Sequence, residues 1–224
     1  MKIAIDGPSG AGKSTIAKMA AKELGFVYID TGAMYRTIGL YCVENNISTD
    51  EYESVSAALK NISIDIKYTA EGQSMFLNGE DVTDKIRTPQ ISSAASDVAK
   101  IKDVRCFLVE MQKKMAEKNN VIMDGRDIGT SVLPDAELKI FLTASAEDRA
   151  ERRYKELIEK GIKTDYETVL ADMIQRDKND SEREISPLSV AEDAVVVDTG
   201  GYSLEKSYEV IMNLIKENGG VKYV

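Results

Sequence analysis

The chain has 224 residues, 43% hydrophobic and 30% charged, which is long enough and apolar enough for one large core without disulfide bonds. It has no histidine, which excludes Ser-His-Asp triads, histidine metal ligands and imidazole bases, and its two cysteines lie far apart without a CxxC pattern. A net charge of −9 argues against nucleic acid or an anionic membrane as a partner.

Strand and helix patterns alternate in the first part of the chain. KIAID predicts a buried strand, residues 14–24 predict a helix that ends at Gly25, and residues 26–29 predict a second strand. A polar turn at 30–32 opens the next helix, and this order predicts a parallel sheet. The early Asp6 leaves no room for a signal peptide, and no run of about 18 apolar residues follows. We therefore predict a cytoplasmic protein.

The middle of the chain interrupts this alternation. Ser48 and Glu51 fit a capping box for a helix to about residue 60. ISIDIKYT then alternates apolar and polar residues, and Asn78 with Gly79 signals a hairpin turn. These patterns predict a small antiparallel sheet with a helix. We interpret residues 62–97 as a subdomain inserted into an α/β core formed by 1–61 and 98–224.

The core pattern resumes after the insert. Residues 98–118 predict one long amphipathic helix. Three further strands are predicted at 121–124, 137–142 and 194–197. Helix starts are predicted from Ser145 with Asp148, from Thr164 with Glu167, and from Ser203. The predicted fold class is α/β: a three-layer α/β/α sandwich with a parallel five-stranded sheet.

The loop between the first strand and the first helix matches GxxxxGKS, the P-loop motif. Its glycines let backbone N–H groups converge on phosphate oxygens, Lys13 can reach the β- and γ-phosphates, and the Ser14 hydroxyl can bind Mg²⁺. The motif therefore predicts a P-loop NTPase fold that binds ATP. The predicted ATP contacts here are Gly7, Pro8, Ser9, Gly10, Ala11, Gly12, Lys13, Ser14 and Thr15.

Charged residues follow the strand VIMD. Asp124 ends this strand at the sheet edge that faces the P-loop, where it could hold Mg²⁺ through water; a helix-capping or turn-capping role is the alternative. Arg126 and Asp127 come next, in a turn beside the expected nucleotide site. A plain surface ion pair is the alternative for these two residues.

Two later helices carry unusual charges. In the helix after Thr164, Asp177 and Asp180 continue an apolar stripe. Either this helix runs into solvent, or its end borders a polar pocket lined by Arg176, Asp180 and Arg183. The preceding helix has three arginines on one face, which repel each other unless anions such as a triphosphate neutralise them. These are Arg149, Arg152 and Arg153, and their alternative partners are Asp148, Glu151 and Glu156 on a solvated face.

Several blocks, taken in order, resemble the bacterial cytidylate kinase family from the first strand to the last helix. They are IDGPSGAGKST, DTGAMYR, IRT, DGRDIGT, PDAELKIFL, AERR and the segment 176–183. GKS alone indicates only the P-loop superfamily, whereas DGRDIGT with the insert after residue 60 is more specific. The resemblance implies transfer of phosphate from ATP, with Mg²⁺, to CMP or dCMP. We expect the protein to be a monomer.

The resemblance also implies roles for particular residues. Acceptor contacts would be Thr31, Arg36, Ser96, Arg105, Arg126, Asp127, Arg176, Asp180 and Arg183. Catalytic groups would be Lys13, Arg126, Arg149 and Arg153, with Arg152 on ATP and a lid over 148–163. Some relatives carry serine at the position of Thr31, and both hydroxyls can donate and accept.

Two other functions are compatible with the residues themselves. One is a P-loop kinase for a different nucleotide or for a metabolite such as shikimate. The other is a nucleotide-driven switch protein, which is disfavoured because no NKxD block for reading guanine is present.

Overall fold

The computed structural model describes residues 1–69 and 72–219. It contains a five-stranded parallel sheet with flanking helices, which confirms the predicted fold class. The strands are β1 (Lys2–Asp6), β2 (Val27–Asp30), β3 (Ile64–Thr69), β4 (Gly72–Leu77), β5 (Glu80–Asp81), β6 (Val121–Gly125), β7 (Leu138–Thr143) and β8 (Val195–Asp198). The parallel sheet has the order β2-β6-β1-β7-β8.

Eight α-helices are found among the described residues. They are α1 (Lys13–Leu24), α2 (Thr31–Glu44), α3 (Tyr52–Ala58), α4 (Pro89–Val98), α5 (Lys102–Ala116), α6 (Ala146–Glu159), α7 (Tyr166–Glu182) and α8 (Leu204–Gly219). No helix in the described part of the chain is both long enough and apolar enough to cross a membrane.

The chain divides into two compact units. The first unit is Met1–Val27 with the chain from Asn120 onward, and the second unit is Tyr28–Asn119. The subdomain boundaries at 62 and 97 stay predictions. Residues 70 and 71 of that predicted subdomain, and 220–224 of the predicted core, lie outside the described residues.

The first unit is built around β1. Its apolar residues Ile3, Ala4 and Ile5 are fully buried, because β6 and β7 pair with it on either side in parallel register. Helix α1 ends at Gly25, whose left-handed conformation (φ 65°) lets its N–H bond to the Ala21 carbonyl, as the sequence predicted. Parallel pairing brings the carboxyl ends of these strands to one edge, which positions the loops that follow them.

The second unit has its own core beneath a three-stranded antiparallel sheet. Strands β3, β4 and β5 pair in that order, and the β4–β5 turn contains Asn78 (φ 50°) and Gly79 (φ 87°). Two successive positive φ values are characteristic of the tight hairpin turn that the Asn-Gly pair predicts. The alternating residues Ile64, Met75 and Leu77 are buried in this core.

Two predicted helix starts are wrong, by three residues at α3 and by one residue at α7. Helix α3 begins at Tyr52 and not after Ser48, because Ser48 and Glu51 form a turn closed by a backbone hydrogen bond between them. Helix α7 is capped by Asp165 and not by Thr164: the Asp165 carboxylate accepts the Thr168 N–H at 2.8 Å. In both places the capping-box spacing fitted, but a neighbouring residue provides the actual helix start.

The long helix predicted over 98–118 is also wrong at its start. Helix α4 extends to Val98, and a turn over 99–101 separates it from α5, which begins at Lys102. Ile101, in this turn, is only 3% exposed. Continuous amphipathic spacing hid the break, because both helices and the turn between them contribute apolar side chains to the same core.

Candidate active site

The loop from Gly7 to Gly12, called the phosphate loop below, connects β1 to α1 and contains glycines that no other residue could easily replace. A side chain at Gly7 (φ +144°) would place its Cβ 1.9 Å from the Leu142 carbonyl oxygen. Gly12 precedes the first residue of α1 in the left-handed region (φ 88°). The loop therefore passes close to β7 and leads directly into the N-terminus of α1, and the free backbone N–H groups of a helix N-terminus bind anions.

Lys13 is buried at the start of α1. It is 5% exposed, and its ammonium donates to the Pro8 carbonyl at 2.7 Å. The pKa of Lys13 is lowered to about 7, first by burial and then by the Arg126 guanidinium, although nearby carboxylates oppose the shift. A bound anion would stabilise the charged form of this buried lysine, and a polyphosphate is such an anion.

Ser14 and Asp124 meet at the carboxyl edge of the sheet. The Ser14 hydroxyl donates to Asp124 Oδ2 at 2.7 Å, and the carboxylate is 4% exposed at the end of β6. A hydroxyl and a carboxylate are oxygen ligands suited to Mg²⁺, which commonly takes its remaining ligands from substrate phosphates and water. Among the described residues no group of three or more His, Cys, Asp and Glu could hold a metal, so a metal here would need such outside ligands.

Arg126 and Asp180 form an ion pair within the first unit. Arg126 Nε lies 2.7 Å from Asp180 Oδ2, and Asp180 is 8% exposed near the end of α7. Burial opposes the charge of Arg126, but Asp180, Asp124 and Asp177 outweigh it and raise the pKa of Arg126 above its ordinary value. The guanidinium therefore stays charged close to the phosphate loop.

Asp127 and Arg183 form a second, more deeply buried pair. Arg183 Nη2 donates to Asp127 Oδ1 at 3.0 Å, and the two residues are 5% and 8% exposed. Arg183 also donates through Nε to the Ser186 carbonyl at 2.7 Å, beyond the end of α7. Two anchors on one guanidinium hold the Asp127 carboxylate in a defined orientation.

The carboxylates near the end of α7 are paired with arginines and do not lie on a solvated face. Asp177 accepts two hydrogen bonds from Arg149, at 3.1 and 2.6 Å, and Asp180 accepts from Arg126. Ile174, which the sequence placed in the apolar stripe, is instead 53% exposed. Arg176 lies on the same helix, and its pKa is lowered by burial and by Arg153 and Arg126. The end of α7 thus forms a polar cluster rich in paired charges.

The three arginines of α6 have three different surroundings. Arg149 is 3% exposed and, besides Asp177, donates to the Ser9 carbonyl of the phosphate loop at 2.9 Å. Arg152 donates to the Thr199 carbonyl at 2.6 Å. Arg153 pairs with Glu156 on an exposed face, which is the alternative that the sequence left open for it. Of these three arginines, Arg149 is the one that has a hydrogen bond to the phosphate loop within the described part of the chain.

The second unit contains the other four predicted acceptor contacts. Asp30 precedes α2 and caps it, accepting the Ala33 N–H at 2.8 Å, and it pairs with Arg36 at 3.1 Å. Within the described residues, the buried Nε of Arg36 has no hydrogen-bond partner. Thr31 is buried in the first turn of α2, and Ser96 lies on α4.

Arg105, also in the second unit, is 3% exposed on α5. Its Nη1 donates to the Tyr35 hydroxyl at 3.3 Å, and its guanidinium carbon lies 6.0 Å from the Tyr35 ring centroid. A guanidinium this deeply buried is costly without bonded partners, and the contact with the tyrosine fixes its orientation.

Sequence reasoning missed three residues that shape these clusters. Tyr35 orients Arg105, Asp177 holds Arg149, and Asp6 accepts hydrogen bonds from the turn after β6. Asp177 had a signal, since it is an acid on the continuation of an apolar stripe. Asp6 had a weaker signal, as an acid that directly follows the apolar residues of a predicted strand. Nothing in the sequence singled out Tyr35.

Comparisons with known proteins give matches that extend over almost the whole chain. A family model described as cytidylate kinase matches residues 3–217. A cytidylate kinase of Caldicellulosiruptor saccharolyticus is 56% identical over 96% of this chain and 95% of its own, and one of Bacillus subtilis is 48% identical over 97% of each. A crystal structure of an uncharacterized protein from Eubacterium ventriosum is similar in fold, with TM-score 0.54, 14% identity, and coverage of 96% of this chain and 98% of its own.

Proposed function

The chain belongs to the cytidylate kinase family, and we propose that it transfers the γ-phosphoryl group of ATP in line to CMP or dCMP. The observation that carries this proposal is the buried Lys13 in a glycine loop, beside the Ser14–Asp124 pair. We further propose that the protein is cytoplasmic, as its sequence predicts, and that it acts as a monomer.

ATP is the donor in this proposal, and its phosphates lie on the loop from Gly7 to Thr15. Mg²⁺ bound with ATP supplies charge neutralisation of the transferring phosphoryl group. Ser14 and Asp124 would hold it, with Asp124 acting through water. We propose that Arg152 also contacts ATP, and that its bond to the Thr199 carbonyl sets the position of its guanidinium.

Phosphoryl transfer to CMP needs no general base, because the attacking group is already an anionic phosphate. The protein's task is to position the reactants and to stabilise negative charge. Lys13, Arg126, Arg149 and Arg153 are the proposed cations. Arg149 is already anchored to Ser9 of the loop, so its charge is held near the phosphates before they bind.

We propose nine acceptor contacts, which are the residues that the family resemblance implies. They are Thr31, Arg36, Ser96, Arg105, Arg126, Asp127, Arg176, Asp180 and Arg183. The partnerless Nε of Arg36 supports an anion-binding role, since a buried N–H donor without a partner is costly. Asp127 is the proposed reader of cytosine, because a carboxylate accepts from the N4 amine.

Coupled ADP release with a panel of acceptors tests the proposed function. CMP, dCMP, UMP, AMP and GMP are offered in turn at equal concentration, and we expect CMP and dCMP to give the highest kcat/KM. Preference for another acceptor would indicate a different small-molecule kinase. ADP release that does not depend on any acceptor would indicate a nucleotide hydrolase or switch.

Asp124→Asn is expected to raise the Mg²⁺ concentration for half-maximal activity by about 10-fold or more, because the amide removes the negative charge that attracts the cation. Activity is titrated with Mg²⁺ at saturating ATP. Asp50→Asn, an exposed acid in the second unit, is the control and should leave the titration unchanged. An unchanged Mg²⁺ requirement in Asp124→Asn would assign this acid a purely structural role.

The amides from 148 to 163 are expected to gain protection from hydrogen exchange when a bisubstrate analogue binds, because a lid must close over the phosphates to exclude water. Hydrogen exchange is measured with and without the analogue, with α8 as the internal reference. Equal protection in both states would contradict a lid at this segment.

A further inference from the structure

Asp6 lies where the phosphate loop begins. It is the last residue of β1, directly before Gly7, and it is 5% exposed. In the parallel register it stands opposite Gly125, the last residue of β6. Its carboxylate is therefore level with the point where the chain leaves β6 and enters the turn that contains Arg126 and Asp127.

Both oxygens of Asp6 accept backbone hydrogen bonds from that turn. Oδ1 accepts the Ile128 N–H at 2.8 Å, and Oδ2 accepts the Gly129 N–H at 2.7 Å. These are the first N–H groups of a single π-helical turn, Ile128–Val132. Amides at the start of a helical turn have no partner within it, and Asp127 makes no side-chain cap here. Asp6, 122 residues earlier in the chain than Ile128, provides the cap.

The turn is confined on its other side as well. A Cβ added at Gly129 would lie 3.0 Å from Lys139 Cδ and 3.4 Å from Asp6 Oδ2. Lys139 is itself 8% exposed and pairs with Asp193 at 2.8 Å. The backbone at Gly129 therefore has little room to move between β7 and the Asp6 carboxylate.

We infer that Asp6 is a positioning residue for the acceptor nucleotide. It fixes the turn that contains Arg126 and Asp127 against β1, the strand that leads into the phosphate loop. The inference rests on the proposed function of Arg126 and Asp127. Hydrogen bonds of Arg126 with Asp180, and of Asp127 with Arg183, fix the tips of these side chains. Asp6 fixes the backbone from which they project.

The pKa of Asp6 shows that its carboxylate is costly to bury, which favours a positioning role over a stabilising one. Burial raises the pKa of Asp6 to about 6, even though two N–H donors favour its charged form, and the neighbouring Asp127 acts in the same direction as burial while Lys13 opposes it. At neutral pH the ionised carboxylate therefore lowers the stability of the folded state. A neutral group of the same shape would be less costly if it could also accept hydrogen bonds from the N–H groups of Ile128 and Gly129. Its two acceptor oxygens satisfy both amides, which a neutral amide side chain cannot do.

Asp6→Asn tests the inference, because the variant has the same shape but keeps only one acceptor and turns an amide donor towards the second N–H. We expect KM for CMP to rise at least about 10-fold and the CMP to UMP ratio of kcat/KM to fall, with KM for ATP changed less than about threefold. ATP binding should be spared because β6 and β7 hold β1 on both sides.

Two further variants separate positioning from stability. Ile211→Val removes a methyl group from a fully buried residue of α8 and should lower Tm without changing KM for CMP. Gly129→Ala presses on Lys139 and Asp6 from the other side, and should raise KM for CMP even if Asp6→Asn does not fold.

Three results would overturn the inference: an unchanged KM for CMP in Asp6→Asn, a rise in KM that Ile211→Val reproduces, or, where Asp6→Asn does not fold, an unchanged KM for CMP in Gly129→Ala. Failure of the proposed function would look different, because the unmodified protein would then not phosphorylate CMP.

Discussion

Lys13→Ala is expected to lower kcat by at least about 10²-fold while the protein stays folded. The ammonium is the cation that the P-loop motif directs to the β- and γ-phosphates, and its contribution is greatest as charge develops in the transition state. The fold should survive because burial lowers the pKa of Lys13 to about 7, so this charged group makes the folded state less stable at neutral pH. Circular dichroism and ADP release are measured on the same sample.

Lys22→Ala is the matched control for this experiment. It removes an exposed lysine from the same helix α1, and it should leave both the spectrum and turnover unchanged. Turnover of Lys13→Ala within about threefold of the unmodified protein would contradict the assignment of the phosphate loop.

Asp127→Asn is expected to lower kcat/KM for CMP by at least about 10-fold and to narrow the CMP to UMP ratio. Cytosine presents an N4 amine donor beside an N3 acceptor, and uracil presents the reverse pair, so a carboxylate suits cytosine and opposes uracil O4. A site built around one polar partner can reject the wrong one by up to roughly 10⁴-fold. Asparagine offers both a donor and an acceptor, which weakens this discrimination.

The buried pair with Arg183 makes this test specific. Asparagine keeps an oxygen that can accept from Arg183 Nη2, now 3.0 Å from Asp127 Oδ1, so the turn should stay in place. Asp135→Asn, an exposed acid in the loop before β7, is the control. An unchanged CMP to UMP ratio, measured as kcat/KM for both substrates, would remove Asp127 as the base reader and leave it a structural partner of Arg183.

Local patterns in the sequence predicted the parts of the site that lie close together along the chain. The glycine loop, Lys13 and Ser14 follow from one motif between a strand and a helix, because the required backbone conformations belong to those residues themselves. The meeting of Ser14 with Asp124 was also predictable, since Ser14 comes after the carboxyl end of β1 and Asp124 lies at the carboxyl end of the parallel strand β6. The Asn78-Gly79 hairpin was predictable for the same local reason.

Predictions of helix boundaries failed where a local sequence pattern was compatible with more than one boundary. Thr164 and Asp165 both suit the start of α7, and Asp165 is the stronger cap because its carboxylate accepts from both the N–H and the hydroxyl of Thr168. The break before Lys102 was hidden because residues on both sides of it face one core. The position of this break is decided by tertiary packing, because Val98, Ile101 and Val104 are all buried in the same core.

The sequence by itself determined the α/β fold, the phosphate loop and the residue types available for chemistry, because strand and helix periodicity and glycine conformation are local properties. Only the tertiary structure decided which charged groups meet. Arg149 bonds to Asp177, 28 residues away, and Asp6 bonds to Ile128, 122 residues away, because helix packing and strand register bring these segments together. A buried charge needs a partner wherever the fold supplies one, and a spacing in the sequence does not reveal which partner that is.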